Sequence, residues 1–263
     1  MIDLQIIGGG RMGEALVAGL LRAGGRGVVD VRIVEPDAAR CEALAQIFPG
    51  IDLAGTPGEA AGTVIAVKPG DVAGVCRIAG AAGPGRVLSI AAGVTIATVE
   101  TNLPDGTPVV RAMPNTPAVV GLGASAIAPG SDAREEDLRW AEELLGAVGT
   151  VVRVEEAMLD AVTGLSGSGP AYVFLVAEAL IEAGGLCGLP PEVSRALSIQ
   201  TLLGAATLLA RGEQSPEALR AAVTSPGGTT AEGLRVLEDR GLRAAFVEAV
   251  AAAAARSGEL GRS

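Results

Sequence analysis

The chain of 263 residues has no histidine, one lysine (Lys68), three cysteines, and only three Phe, one Tyr and one Trp. Each shortage excludes something. Without histidine there is no histidine–carboxylate pair of the kind many alcohol dehydrogenases use to move a proton. Cys41, Cys76 and Cys187 are odd in number and widely spaced, so they read as reduced side chains, and neither a disulfide frame nor a metal site is expected. So few aromatics leave no platform for stacking bases, and a net charge of −10 opposes a nucleic-acid footprint. No stretch of 18 uninterrupted apolar residues occurs, and AAFVEAVAAAAA is broken by Glu248, so no membrane association is expected. The opening MIDLQIIGGG carries no basic leader, which points to a cytoplasmic protein.

What is present divides into two patterns. Up to about Glu155, short β-branched runs alternate with amphipathic ones: DLQIIG, DVRIVE, TVIAVKP, RVLSIAAG, PVVRAMP, GASAIAPG and TVVRVE as strands; EALVAGLLRAG, DAARCEALAQIF and REEDLRWAEELLGAVG as helices. This alternation predicts a largely parallel sheet covered by helices, an α/β fold. Beyond Glu155 the strand signal stops. Five helical segments follow, with breaks expected at Gly184–Gly185, Pro190–Pro191, Pro216 and Pro226–Gly227. The expected domains are residues 1–156 and 157–263. The first two late helices are apolar on more than one face, which favours burial against a second subunit over a thick internal core.

IIGGGRMGEALVAGLL places Gly8, Gly10 and Gly13 in the GxGxxG spacing, after a strand and at the head of a helix. The first glycine permits the turn, the second admits a pyrophosphate to the backbone, and the third lets helix and sheet approach. Glu35 ends the second strand at the distance from Gly13 where a carboxylate meets the ribose 2′-hydroxyl of NADH. It predicts a preference for NADH or mixed use. The competing readings are a solvated turn residue before Pro36, or a Glu35 that points away and leaves Arg40 to reach a phosphate. Val67, Lys68 and Pro69 follow another strand at its ligand-binding edge; Lys68 either helps hold the cofactor or occupies a turn. In AMPNTP, Asn115 and Thr116 meet the nicotinamide edge or a neighbouring loop, with Pro114 and Pro117 stiffening the segment. LSGSGPAYVF brings backbone close to a ligand or another helix and seats Pro170 in the first turn of a long helix.

The segment AVTSPGGTTAEGLRVLE offers two readings. Backbone amides at a helix start wrap an anion, beside a threonine hydroxyl; or Thr229 is a routine N-cap with Glu232 completing a capping box. A hydride source together with an anion cradle suits reduction of an already electrophilic C=N, which needs no strong base.

Taken in order, IIGGGRMGEALVAGL, AVKP, SIAAGV, RAMPNTPA, GLSGSGPAYVF and SPGGTTAEGLRVLEDRGLRAAFVEAV resemble the pyrroline-5-carboxylate reductase family along nearly the whole chain, SPGGTT being the specific signature. The resemblance implies reduction of L-1-pyrroline-5-carboxylate to L-proline with NADPH or NADH, the last step of proline biosynthesis. It implies an N-terminal Rossmann-type dinucleotide-binding domain and an all-helical C-terminal dimerisation domain that also binds substrate. A homodimer is implied, with rings of five dimers, a decamer, in some members. It also implies that Thr230 is catalytic, bonding the ring nitrogen, that the backbone around Gly227, Gly228 and Thr229 takes the substrate carboxylate, and that Ser225 is the substrate-binding serine of that loop. Gly8, Gly10, Arg11, Met12, Gly13, Glu35, Val67, Lys68, Pro69, Met113 and Asn115 fall to the cofactor. Two departures stand out: Arg11 replaces the asparagine of many members, and Glu35 replaces the small or basic residue of NADPH-favouring ones. The alternatives are a reductase of a related cyclic imine carboxylate and a non-catalytic dinucleotide-binding regulator. A 3-hydroxyacid dehydrogenase would need a lysine in its second half, and none follows Lys68.

Overall fold

The computed structural model describes residues 2–261; residues 1, 262 and 263, at the outer ends of the two expected domains, lie outside the described residues. The first two-thirds of the chain builds an eight-stranded sheet. Its elements are β1 Ile2–Ile7, α1 Arg11–Ala23, β2 Val31–Val34, α2 Ala38–Ile47, β3 Asp52–Ala54, β4 Ala60–Ile65, α3 Val72–Ala82, β5 Arg86–Ser89, α4 Ile96–Glu100, β6 Val109–Met113, β7 Gly123–Pro129, α5 Glu135–Gly146, β8 Gly149–Arg153 and α6 Leu159–Val162. The strand order is β3-β2-β1-β4-β5-β6-β7-β8. All neighbours run parallel except β6 and β7, which pair antiparallel, Ala112 opposite Ile127. Only a tight 3₁₀ turn, Thr116–Val120, joins those two strands, too short a connection for a parallel crossover.

The central parallel strands β1, β2, β4 and β5 are largely buried on both faces, so they read as mainly apolar runs, while the edge strands β3 and β8 are not. Leu4, Ile6, Ile33, Val64 and Leu88 are sealed against Leu16, Leu144 and Leu145 of the covering helices. Gln5 is wholly buried yet satisfied: its side-chain amide donates to the Gly58 carbonyl (2.8 Å) and to Thr63 Oγ1 (3.0 Å). Four short or masked elements went unread in the sequence: β3, α3, α4 and α6. β3 has only three residues, and the glycines of α3 mask the spacing of its buried Val72, Cys76 and Ala79.

From residue 163 the chain is helical. A π-turn at Thr163–Gly167 leads to α7 Gly169–Leu186, α8 Pro191–Ala210, α9 Pro216–Ala222, α10 Thr229–Asp239 and α11 Leu242–Leu260. Gly184–Gly185 is not a break, contrary to expectation, because α7 runs through both residues to Leu186. Gly184 is there for contact. A Cβ on it would lie 2.1 Å from Ser194 Oγ of α8, and that hydroxyl donates to the Ile181 carbonyl at 2.7 Å. Pro170 and Pro191 occupy first turns, as expected.

By internal contacts the chain forms two compact units: Met1–Ser168 with Val250–Ser263, and Gly169–Ala249. The C-terminal part of α11 belongs to the first unit, where Ser257 Oγ donates to Asp160 Oδ1 at 2.7 Å and Gly164 admits the backbone of Val250. Among the described residues, two helical stretches, 156–186 and 191–210, are long and apolar enough by length and composition to span a bilayer.

Candidate dinucleotide and anion sites

The glycine turn lies where the strand order reverses, beyond the carboxyl end of β1 between β2 and β4, the usual ligand position in open α/β sheets. Each glycine of the motif has its own reason. Gly8 adopts φ +106°, and a Cβ there would lie 2.5 Å from the Ala66 carbonyl oxygen. Gly13 is pressed on Gly8, with only 2.1 Å left for a Cβ. Gly10 is different: it is the N-cap of α1, makes no side-chain cap bond, and a Cβ there would meet nothing within 4 Å. The protein itself does not require glycine at that position, whereas a pyrophosphate lying on the helix N-terminus does. The turn therefore fits a dinucleotide.

Around the turn, side chains divide between support and exposure. Met12 packs on the main core and Val67 on the clusters beneath β4, so both brace the turn from inside. Arg11 is exposed at the head of α1. Lys68 and Pro69 are exposed at the start of the 3₁₀ turn Pro69–Asp71. Glu35 does not point away. Its Oε2 accepts from the Gly9 N–H and its Oε1 from the Asp37 N–H, both at 3.0 Å. Asp37 caps α2 by accepting from the Arg40 N–H, a bond worth about 1 kcal/mol.

Asn115 is 9% exposed, and its amide is engaged at both ends. Nδ2 donates to the Ser166 carbonyl (3.0 Å), and Oδ1 accepts from Ala124 N–H (2.8 Å). Met113 Cε comes within 2.7 Å of where a Cβ on Gly167 would stand. Together they tie the loop after β6 to the π-turn; single-turn π insertions of this kind are frequent at functional sites. One pair escaped the sequence reading: Arg111 Nη1 donates to Glu156 Oε1 at 2.9 Å, and the same oxygen accepts from Ile96 N–H at 2.7 Å. The available signal was an arginine in the middle of the apolar strand PVVRAMP.

In the second unit, Ser225–Gly228 has the pattern of a type II turn. Pro226 stands at its second position, Gly227 at its third with φ +71°, and the Ser225 carbonyl accepts from Gly228 N–H at 3.0 Å. Gly228, not Thr229, is the N-cap of α10. It makes no side-chain cap bond, and Glu232 pairs with Arg235 at 2.6 Å. The capping-box reading is therefore excluded. Gly228 also gives room to Ser225, whose Oγ would lie 2.3 Å from an added Cβ. Because the Gly228 amide closes the turn, the donors left at the helix start are the amides of Thr229, Thr230 and Ala231. Ser225, Gly227, Thr229 and Thr230 are exposed. Three free amides, the positive end of the α10 dipole and two hydroxyls are chemistry suited to a small carboxylate.

The one thiol displaced strongly is Cys76, pushed up to about 11 by burial, which makes it a core residue and not a nucleophile. No cluster of metal-ligating side chains occurs among the described residues.

Comparison with known proteins agrees with this geometry. Residues 156–260 match the family described as pyrroline-5-carboxylate reductase dimerisation. Residues 3–93 match NADP oxidoreductase, coenzyme F420-dependent. A pyrroline-5-carboxylate reductase of Synechocystis is 43% identical across 99% of this chain and 99% of its own length. One of Mycobacterium tuberculosis is 45% identical over 99% and 97%. Among solved structures, a pyrroline-5-carboxylate reductase from Coxiella burnetii superposes with a TM-score of 0.92 at 36% identity, covering 98% of both chains. That of Plasmodium falciparum with NADP bound superposes with a TM-score of 0.84 at 29% identity, covering 99% and 98%.

Proposed function

The chain belongs to the pyrroline-5-carboxylate reductase family, and from this we propose that it reduces L-1-pyrroline-5-carboxylate to L-proline with NADPH or NADH, the last step of proline biosynthesis. The observation that carries the reading is the exposed, uncapped start of α10 behind the Ser225–Gly228 turn. A structural helix start of this composition would spend its threonine on capping; here both threonines are left outward.

We assign the cofactor to residues 1–156 and the substrate to 157–263. Gly10 lets the pyrophosphate reach the head of α1, Gly8 and Gly13 shape the turn, and Glu35 stands at the ribose. Val67 and Met12 hold the turn from below, while Arg11, Lys68 and Pro69 line its solvent side. Met113 and Asn115 fix the loop beside the nicotinamide. A reduced nicotinamide held there supplies hydride to the ring carbon of the imine. Thr229, Thr230 and the turn formed by Ser225, Gly227 and Gly228 hold the substrate carboxylate. The Thr230 hydroxyl bonds the ring nitrogen, keeping its proton in place. An iminium brings its own positive charge, so placement and one hydrogen bond replace a strong acid.

The exposed apolar helices of the second unit take a second copy of the chain. A homodimer covers Phe174, Leu197 and Leu203, and a mass measurement in solution tells that dimer from a decamer. We place the enzyme in the cytoplasm, unattached to membrane. Oxidation of NADH or NADPH that requires the cyclic imine and yields proline in equal amount is the expected result. Binding of dinucleotide without imine-dependent oxidation would favour a regulator instead. Faster turnover of a different cyclic imine carboxylate would move the substrate.

A further inference from the structure

The region beside Glu35 carries more than a dinucleotide site. Arg40, the nearest cation in the first turn of α2, is doubly engaged: its Nε donates to the Gly9 carbonyl at 2.6 Å, and its guanidinium pairs with Glu14 of α1. Gly9 is thus held from both sides, its N–H by Glu35 and its carbonyl by Arg40. The Glu35 carboxylate is fixed by two backbone amides, and a carboxylate so placed accepts from a ribose hydroxyl and repels a phosphate.

We infer that this chain selects NADH over NADPH through Glu35, and that Glu14 keeps Arg40 from serving a 2′-phosphate. The inference rests on the dinucleotide site proposed above. For Arg40 to meet a 2′-phosphate it must give up both the Gly9 carbonyl and Glu14, loosening the turn that carries the pyrophosphate. Glu14 and Glu35 match Arg40 and the exposed Arg11 in charge, so these side chains offer no net positive field to a further dianion. Asp37, exposed and already capping α2, adds to the negative side.

The test is calorimetric titration of the full-length protein with NADH and with NADPH, without substrate, for the native chain, Glu35→Gln and Glu14→Gln. The native protein is expected to bind NADH at least about tenfold more tightly than NADPH. Glu35→Gln should shrink that ratio several-fold, weakening NADH and tightening NADPH. Glu14→Gln removes one of the two holds on Arg40 and should tighten NADPH while leaving NADH unchanged. NADPH bound as tightly as NADH by the native protein, a comparison that needs no variant, overturns the inference and leaves the dinucleotide site standing. A ratio unmoved by Glu35→Gln overturns the role of Glu35, and unmoved NADPH binding in Glu14→Gln overturns the latch on Arg40. Saturable binding of neither dinucleotide removes the site itself and the inference with it.

Discussion

The sheet unit and the helical unit solve the problem of apolar residues in opposite ways. In the first, Leu4, Ile6, Val64 and Leu88 are sealed between strands and covering helices. In the second, α7 and α10 have no buried residue and α8 has only Ser194, while Phe174, Leu175, Leu197 and Leu203 lie 55–64% exposed. Apolar surface on that scale does not face water in a stable monomer. The sheet unit closes a core of its own even though Val120, Leu122 and Leu165 stay 66–72% exposed; the helical unit has next to none and is half of something. Length and hydropathy alone would also admit lipid as the missing half. The match of residues 156–260 to a dimerisation family decides for a second protein chain.

Breaking the comparison outright is the largest effect expected. Leu203→Glu places a charge on the exposed face of α8 and should raise the dimer dissociation constant at least about a hundredfold, roughly 2.7 kcal/mol, read by sedimentation. Ile78→Glu on α3, at the same exposure in the sheet unit, should leave the assembly unchanged. Equal responses from the two variants would erase the distinction drawn here.

Chemistry should divide along the same line. Thr230→Ala, in the helical unit, removes the hydroxyl proposed to bond the ring nitrogen and should lower kcat roughly tenfold to a hundredfold, about 1.4–2.7 kcal/mol. Its dissociation constant for NADH or NADPH, measured by fluorescence titration, should stay as in the native enzyme.

Within the sheet unit two glycines of one motif should behave differently. Gly13→Ala drives a methyl into the Gly8 carbonyl and should cost about 1–3 kcal/mol in denaturant unfolding. Gly10→Ala meets no atom on the protein side, so its stability should fall by no more than the weaker N-cap costs, about 1 kcal/mol. Its dinucleotide affinity should nonetheless fall. Unchanged dinucleotide affinity in Gly10→Ala would show that the open space does not belong to a ligand.

The smallest effect is a labelling rate. Cys76 is buried and its thiol pushed up to about 11, so near pH 8 the reactive thiolate is scarce as well as inaccessible. A thiol reagent should reach Cys76 only on unfolding, while Cys187, exposed just beyond α7, reacts in the native chain. Raising the pH toward 11 should speed Cys76 only as far as the fold opens.

Much of this was legible in the sequence because its signals are local. GxGxxG after a strand, and Pro226–Gly227 before a helix, each specify a backbone shape within a few residues. The helical half could be read nearly to the residue, since its prolines mark first turns. What stayed hidden depends on distant partners. Nothing in GLSGSGP announces that the Ser166 carbonyl meets Asn115, or that Gly164 admits α11. Nor does the spacing from Glu14 to Arg40 reveal that the two close over Gly9. Gly184–Gly185 misled for the same reason: a glycine pair breaks an isolated helix, but here one of them makes room for Ser194.

The central claim is that this chain delivers hydride to the imine carbon of a small cyclic carboxylate. Incubating it with L-1-pyrroline-5-carboxylate and dinucleotide deuterated at the transferring position of the nicotinamide, then reading the product by mass spectrometry, tests that directly. The account predicts proline carrying one deuterium, on the ring carbon next to nitrogen. Unlabelled proline, or no proline from a protein that binds the dinucleotide, would contradict it.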